Sequence, residues 1–301
     1  ARVAKDMGAY AMVLTVKHEG GFCLWNTNQT DYSIKNTPFG RSGRDIVAEF
    51  VASCHRYGLR PGYYITPAED GWTMQQQPNI SASAFLAKEM AMFGELLSSR
   101  YGGNIERTWW DHFPYGCGMA APGGFRSSCP KDALPSGYAD VIAGVRRDAP
   151  HLLITNGPDA VNALDRTVDG NGYYPVWNSC ELDPKFPPSM RVCKQLGPGL
   201  ATWMPRQVPD SIQVKPVDWF WHSDRNGSVM KAEEIWDRWL MTVGGGSHYL
   251  LNVPPNSSGL VPEAFHAEVK LFGDGIRQSV GSPIAQLTTT LDRALRQLCC
   301  S

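Results

Sequence analysis

No run of about five or more basic residues occurs in this chain and its net charge is −1, so neither a nucleic-acid footprint nor a patch for a membrane surface is present. No apolar stretch approaches the ~18 residues that a spanning helix needs, and no signal peptide is found. The eight cysteines (Cys23, Cys54, Cys117, Cys129, Cys180, Cys193, Cys299 and Cys300) never form a C-x-x-C pair, which argues against a zinc ribbon. Internal repeats and low-complexity tracts are missing as well. What these absences leave is a partner that is small or uncharged.

The chain has 301 residues, enough for one large domain, since barrels run to about 250 residues without splitting. Aromatic residues make up 11% and include ten tryptophans, and flat rings are what a protein uses to grip the apolar face of a sugar. The plainer role for most of them is core packing. Cys117 with Cys129, and Cys180 with Cys193, suit small loop-closing disulfides. Sequons at Asn28, Asn79, Asn226 and Asn256 fit a glycosylated protein that is secreted, extracellular or vacuolar-lysosomal.

Short β-branched or aromatic runs alternate with longer amphipathic ones, as in a parallel sheet wrapped by helices. The expected strands are 12–16, 62–66, 108–111, 152–155, 176–179, 219–222 and 249–253. Helices are expected over 1–8, 45–57, 82–100, 136–148, 231–242 and 262–276, with Asp45 as an N-cap and Gly58 as a stop. The pattern predicts an α/β fold, a (β/α) TIM-like barrel more than an open doubly wound sheet, with its motifs at the carboxyl ends of strands. Residues 114–135, rich in Gly, Pro and Ser, read as a long loop that covers the site as a lid.

Two apolar runs end abruptly in ionisable, glycine and aromatic residues. The first is Val13-Leu14-Thr15-Val16-Lys17-His18-Glu19-Gly20-Gly21-Phe22-Cys23-Leu24-Trp25. The second, Ile105-Glu106-Arg107-Thr108-Trp109-Trp110-Asp111-His112-Phe113, delivers one carboxylate between large rings. Such strand ends, brought together, make the lip of a sugar pocket.

Leu14 to Trp25 resembles the L-T-x-K-H-H-D-G-F-x-L-W signature of the α-L-fucosidases of glycoside hydrolase family 29. Thr30-Asp31-Tyr32-Ser33, Arg44-Asp45-Ile46-Val47, Gly62-Tyr63-Tyr64, Trp109-Trp110-Asp111, Gly157-Pro158-Asp159, Trp219-Phe220-Trp221-His222 and Leu251-Asn252-Val253-Pro254-Pro255-Asn256 follow in matching order. The last of these is most similar to the plant and bacterial branch that prefers fucose linked 1,3 or 1,4 on branched glycans. The resemblance implies a catalytic barrel over 1–276 that lacks a first strand before Ala1. It also implies that 277–301 is the truncated start of a C-terminal β-sandwich, or a tail.

Retaining glycosidases use two carboxyl groups about 5–5.5 Å apart, one to attack the anomeric carbon and one to give and then take a proton. Asp111 matches the family's W-x-D nucleophile. The family's proton donor is a glutamate in R-W-x-G-N-E-x-G, whereas this chain reads Arg166-Thr167-Val168-Asp169-Gly170-Asn171-Gly172-Tyr173. Asp169 is the nearest carboxylic acid, one methylene shorter. By the resemblance, His18 hydrogen-bonds ring hydroxyls, and Glu19 replaces a second histidine, which changes the polarity of the site. Trp25, Tyr64 and Trp109 would wall the pocket against the C6 methyl of fucose, and Trp221 and His222 would line its rim. His112 finds no second histidine at ligand spacing, so neither metal nor other cofactor is expected.

The leading expectation is an exo-acting retaining enzyme that releases fucose from a fucosylated oligosaccharide or glycoprotein by double displacement, with no nucleic-acid or membrane partner. A member that has lost catalysis, and binds glycans like a lectin or is a nonfunctional fragment, is the second reading. The missing glutamate and Glu19 favour the second; the intact Trp109-Trp110-Asp111 favours the first. A third, a barrel glycosidase for another sugar, would need a pocket without the methyl-sized wall.

Overall fold

The Asp45 carboxylate starts one helix unambiguously: its Oδ1 accepts from the backbone N–H groups of Val47 and Ala48 at 3.0 and 3.1 Å, filling two otherwise orphaned donors. The helix, Ile46–Arg56, then buries Val47, Phe50, Val51 and Cys54 on one face. The same logic of one apolar face per element organises the rest. The computed structural model describes residues 1–67, 69–101, 105–111, 144–145, 147–155, 161–162, 206–213, 219–225, 228–244 and 248–280.

In chain order the elements are α1 (Arg2–Met7), β1 (Ala11–Lys17), α2 (Pro38–Arg41), α3 (Ile46–Arg56), β2 (Arg60–Ile65), α4 (Gly71–Gln76) and α5 (Ala82–Leu96). They continue with β3 (Arg107–Trp110), β4 (Leu153–Thr155), β5 (Val161–Asn162), β6 (Arg206–Ser211), α6 (Ala232–Val243), β7 (His248–Asn252) and α7 (Glu263–Ser279). Every pairing between these strands is parallel, in two sheets ordered β1-β2-β3-β4 and β5-β6-β7. The fold is α/β. None of the described helices is long and apolar enough to cross a membrane.

Period-two alternation divides the first sheet into a packed face and a site face. Tyr63 and Trp110 are fully buried; the Tyr63 hydroxyl donates to the Tyr101 carbonyl at 2.8 Å, and Trp110 meets Phe93 edge-on at 5.5 Å. Their neighbours Tyr64 and Trp109 therefore point to the other face, in one row with Thr15 and Thr155. A bulge between Thr15 and Lys17 interrupts the row. It turns Lys17 toward α5, where Nζ lies 2.7 Å from Glu89 Oε2, and re-aims the chain that follows. A second core gathers Ile212, Met230, Ile235, Phe265, Val269 and Phe272 around the second sheet.

Several expected elements are found, with shifted ends. The strand expected at 219–222 is not one: Trp219 and Phe220 lie in a bend and 223–225 in a 3-10 turn. Aromatic residues there suggested a strand, but side chains from neighbouring strand ends hold the segment as a loop. The missed strand is β6, Arg206-Gln207-Val208-Pro209-Asp210-Ser211, whose polarity and proline both read against it. Pro209 is tolerated because β5 pairs only with Arg206 and Gln207, so at Pro209 the described neighbour is β7 alone. The expected helix 82–100 ends at Leu96 before a 3-10 turn at Ser99–Tyr101. Helix α7 runs to Ser279, past residue 276. The expected strand 176–179, the loop 114–135 and residues 281–301 lie outside the described residues.

Candidate active site

Asp111 follows the last residue of β3, and its backbone N–H donates to the Ile65 carbonyl at 3.0 Å, so β2 holds the backbone one step beyond the ladder. The Tyr64 hydroxyl, from the same strand, donates to Asp111 Oδ2. Burial, first, and the Asp111 charge, second, push the Tyr64 phenol far above the ordinary tyrosine range, so it stays a hydrogen-bond donor. His18 stacks on Tyr64 with ring centroids 5.6 Å apart and planes 7° from parallel. Trp109 meets Tyr64 edge-on at 5.4 Å, and Phe220 meets His18 edge-on at 6.2 Å. Four rings thus form a row, Trp109, Tyr64, His18, Phe220, with the Asp111 carboxylate bonded to the second.

The turn that carries His18 is tied down from below. Lys17 Nζ donates to the Thr66 and Glu69 carbonyls at 3.0 and 2.7 Å as well as to Glu89, and Gly71 N–H donates to the Glu19 carbonyl at 2.7 Å. Gly21 has φ of 87°, and a Cβ there would come within 2.1 Å of Asp70 Oδ1. Only glycine lets the turn close so tightly. Glu19 Oε1 reaches within 3.9 Å of His18 Nδ1. Among the described residues the buried Trp109 indole N–H has no acceptor.

The α-L-fucosidase family profile matches residues 1–113, a stretch that contains His18, Glu19, Tyr64, Trp109 and Asp111. Alpha-L-fucosidase 1 of Arabidopsis thaliana is 28% identical over 266 residues, covering 87% of this chain and 47% of that protein. A Bacteroides thetaiotaomicron crystal structure described as an α-L-fucosidase superposes with a TM-score of 0.72 at 28% identity, covering 94% of this chain and 58% of that one. A glycoside hydrolase 29 family member from an unknown rumen bacterium gives a TM-score of 0.71 at 25% identity, covering 92% and 48%. Over most of its length the chain is similar to these α-L-fucosidases. It spans about half the length of the curated relatives it matches, 47% and 50%.

In this chain His18, Glu19, Tyr64, Trp109 and Asp111 come together at neighbouring strand ends. Trp25 does not join them. It is fully buried in the first core, and its indole N–H donates to Glu95 Oε2 on α5 at 3.0 Å. Glu95 also receives the Asn28 backbone N–H and the Gln29 amide at 3.0 and 3.2 Å, so the chain after Cys23 folds against the helix and seals the ring away from solvent. Trp221 packs against the second core, and the His222 backbone N–H donates to Gln213 Oε1 at 3.3 Å. The ring that reaches His18 is Phe220, which the sequence reading passed over. No local pattern marks it, because the segment is a bend rather than a strand and period-two alternation does not apply. Asp169 and His112 lie outside the described residues.

Proposed function

We propose that this chain carries the catalytic site of an exo-acting, retaining α-L-fucosidase acting on fucosylated glycans. The observation that carries the reading is the Asp111 carboxylate at the carboxyl end of a parallel strand, hydrogen-bonded by Tyr64 and fronted by a row of rings. In this reading the ionised Asp111 attacks the anomeric carbon to form a glycosyl ester, the leaving oxygen takes a proton, and water then releases fucose with retention. Tyr64 holds the attacking carboxylate in one orientation. Asp169 is the proposed acid/base residue.

The rest of the site suits a small sugar. The His18 imidazole, when neutral, offers one donor and one acceptor to ring hydroxyls, and Glu19 offers acceptors. The Trp109 N–H, without an acceptor among the described residues, is a donor in search of an oxygen. Tyr64 and Trp109 supply the apolar wall for a methyl group, a contact worth only ~1–3 kcal/mol, so shape must add to it.

The two parallel sheets are read as arcs of one (β/α) barrel over 1–276, with 277–301 leading away from it. Three contacts support closure: Arg107 NH1 lies 3.4 Å from His248 Nδ1 across the sheets, Phe220 touches His18, and α1 lies on α7. The last approach is close enough that a Cβ on Gly273 would come within 2.2 Å of the Asp6 carbonyl oxygen.

An aryl α-L-fucoside, whose leaving group needs no protonation, and a fucosylated oligosaccharide test the reading together. The wild-type chain is expected to cleave the aryl substrate, and Asp111→Ala to lose at least about 10⁴-fold in kcat/KM. A 2-deoxy-2-fluoro-fucosyl fluoride should leave an ester on the peptide containing Asp111, found by mass spectrometry. Undiminished hydrolysis by Asp111→Ala, or an ester elsewhere, would end the proposal. Cleavage of the aryl substrate alone would assign the defect to the proton donor.

A further inference from the structure

Phe220 is 60% exposed, yet its backbone is firmly held. The Asn252 amide, at the end of β7, donates to the Trp219 carbonyl at 2.8 Å. Gln213, buried beyond the end of β6, donates to the Phe220 carbonyl at 2.6 Å and accepts from the His222 backbone N–H at 3.3 Å. A glutamine that spends both ends of its amide on one loop fixes that loop's backbone. The result is an exposed ring on a rigid mount at the solvent end of the row that begins beside Asp111.

We infer that Phe220 is a stacking platform for the sugar ring that bears the fucose, the leaving-group side of the cleaved bond. The inference rests on the proposed fucosidase reading and adds a second binding position to it. An exo-acting site encloses the terminal sugar and leaves the next one facing outward. The ring row runs in that sense, with Trp109 and Tyr64 beside the carboxylate, His18 in the middle and Phe220 outermost. The apolar face of a pyranose packs on an aromatic ring without requiring any particular hydroxyl pattern, so Phe220 would favour a ring-bearing leaving group over a small one.

Binding is compared in the full chain carrying Asp111→Asn, which stops turnover, with two probes: L-fucose and the disaccharide fucosyl-α-1,3-N-acetylglucosamine. Adding Phe220→Ala should weaken disaccharide binding about tenfold and leave L-fucose within about twofold, and Phe220→Trp should restore the disaccharide. Unchanged disaccharide binding in Phe220→Ala would overturn the inference and leave the fucosidase reading standing. Equal losses for both probes would also overturn it, by placing Phe220 in the fucose position or in the fold itself. If the parent chain binds neither probe, the fucosidase reading fails first and the platform falls with it.

Discussion

Both sheets anchor a strand end to a neighbouring helix with a buried ion pair, but with opposite polarity. In the first, the strand supplies the cation: Lys17 Nζ lies 2.7 Å from Glu89 Oε2 of α5, with both side chains sealed from solvent. In the second, the strand supplies the anion: Asp210 Oδ2 lies 2.7 Å from Arg238 NH1 of α6. The coordination differs more than the charge. Asp210 also accepts from the Tyr249 hydroxyl at 3.1 Å and the Ser211 backbone N–H at 2.9 Å, and the Arg238 fork bonds Glu234 as well. On the other side, all three bonds from Lys17 are made, while Glu89 Oε1 has no partner among the described residues. Burial, the largest influence, outweighs Lys17 and pushes the Glu89 carboxyl up to about 8. The charge of the clamp beneath His18 and Glu19 therefore depends on pH.

Breaking each pair from its helix side tests whether coordination matters. Above about pH 8, where Glu89 is ionised, Glu89→Leu strands a buried ammonium, and urea unfolding should show a loss of ~3–5 kcal/mol. Arg238→Leu leaves Asp210 the Tyr249 hydroxyl and the Ser211 N–H and should cost less, ~2–3 kcal/mol. Equal losses would mean that the remaining bonds to Asp210 contribute nothing. Glycines next sharpen the contrast between the site turn and the second sheet. Gly21 and Gly259 both have positive φ, 87° and 76°, but a Cβ on Gly259 meets nothing within 4 Å. Gly259→Ala should cost only the left-handed backbone penalty, ~1–2 kcal/mol. Gly21→Ala adds the collision with Asp70 and should reach ~2–4 kcal/mol, with a matching loss of the proposed fucose binding because the His18 turn moves. Thermal unfolding of the two variants side by side checks the order.

The same asymmetry explains what could be read in the sequence. Strands β1 and β2 announce themselves through Val13, Val16, Tyr63 and Ile65, and Asp45 and Gly58 bracket α3 as their chemistry dictates. Asp111 and His18 were legible because each stands where an apolar run breaks off, whereas Tyr64 was carried by the family resemblance alone. Strand β6 was not, since its buried Asp210 and Gln207 are stabilised by residues distant in the chain, and tertiary partners leave no local pattern. Trp25 and Phe220 exchanged places for a related reason. An aromatic residue near a motif is visible in sequence, but whether it faces Glu95 or solvent depends on where α5 and the end of β7 bring their polar side chains.

Two titrations of opposite sign follow. Because Glu89 holds its proton more tightly in the folded chain, up to about 8 against an ordinary 4.5, the native state binds more protons across that interval. Stability should therefore fall as pH rises through it, with a slope of up to ~1.4 kcal/mol per pH unit. Lys17 is charged throughout this range and does not offset the slope. Glu89→Gln, neutral at every pH, should flatten the fall in melting temperature between pH 5 and 8; an unchanged slope would show that Glu89 is ionised throughout. The second sheet supplies the smaller, opposite effect. Burial, and then the neighbouring Arg107 guanidinium, hold the His248 imidazole below its usual range, so here the unfolded chain binds the proton more readily. Stability should decline as pH falls through the ordinary histidine range, near 6.5. The imidazole is only partly desolvated, since the residue as a whole is exposed, so the decline is weak and sensitive to salt. His248→Gln should remove it at low ionic strength while leaving the Glu89 slope intact, and a variant that altered both slopes would mean the two sheets do not titrate independently.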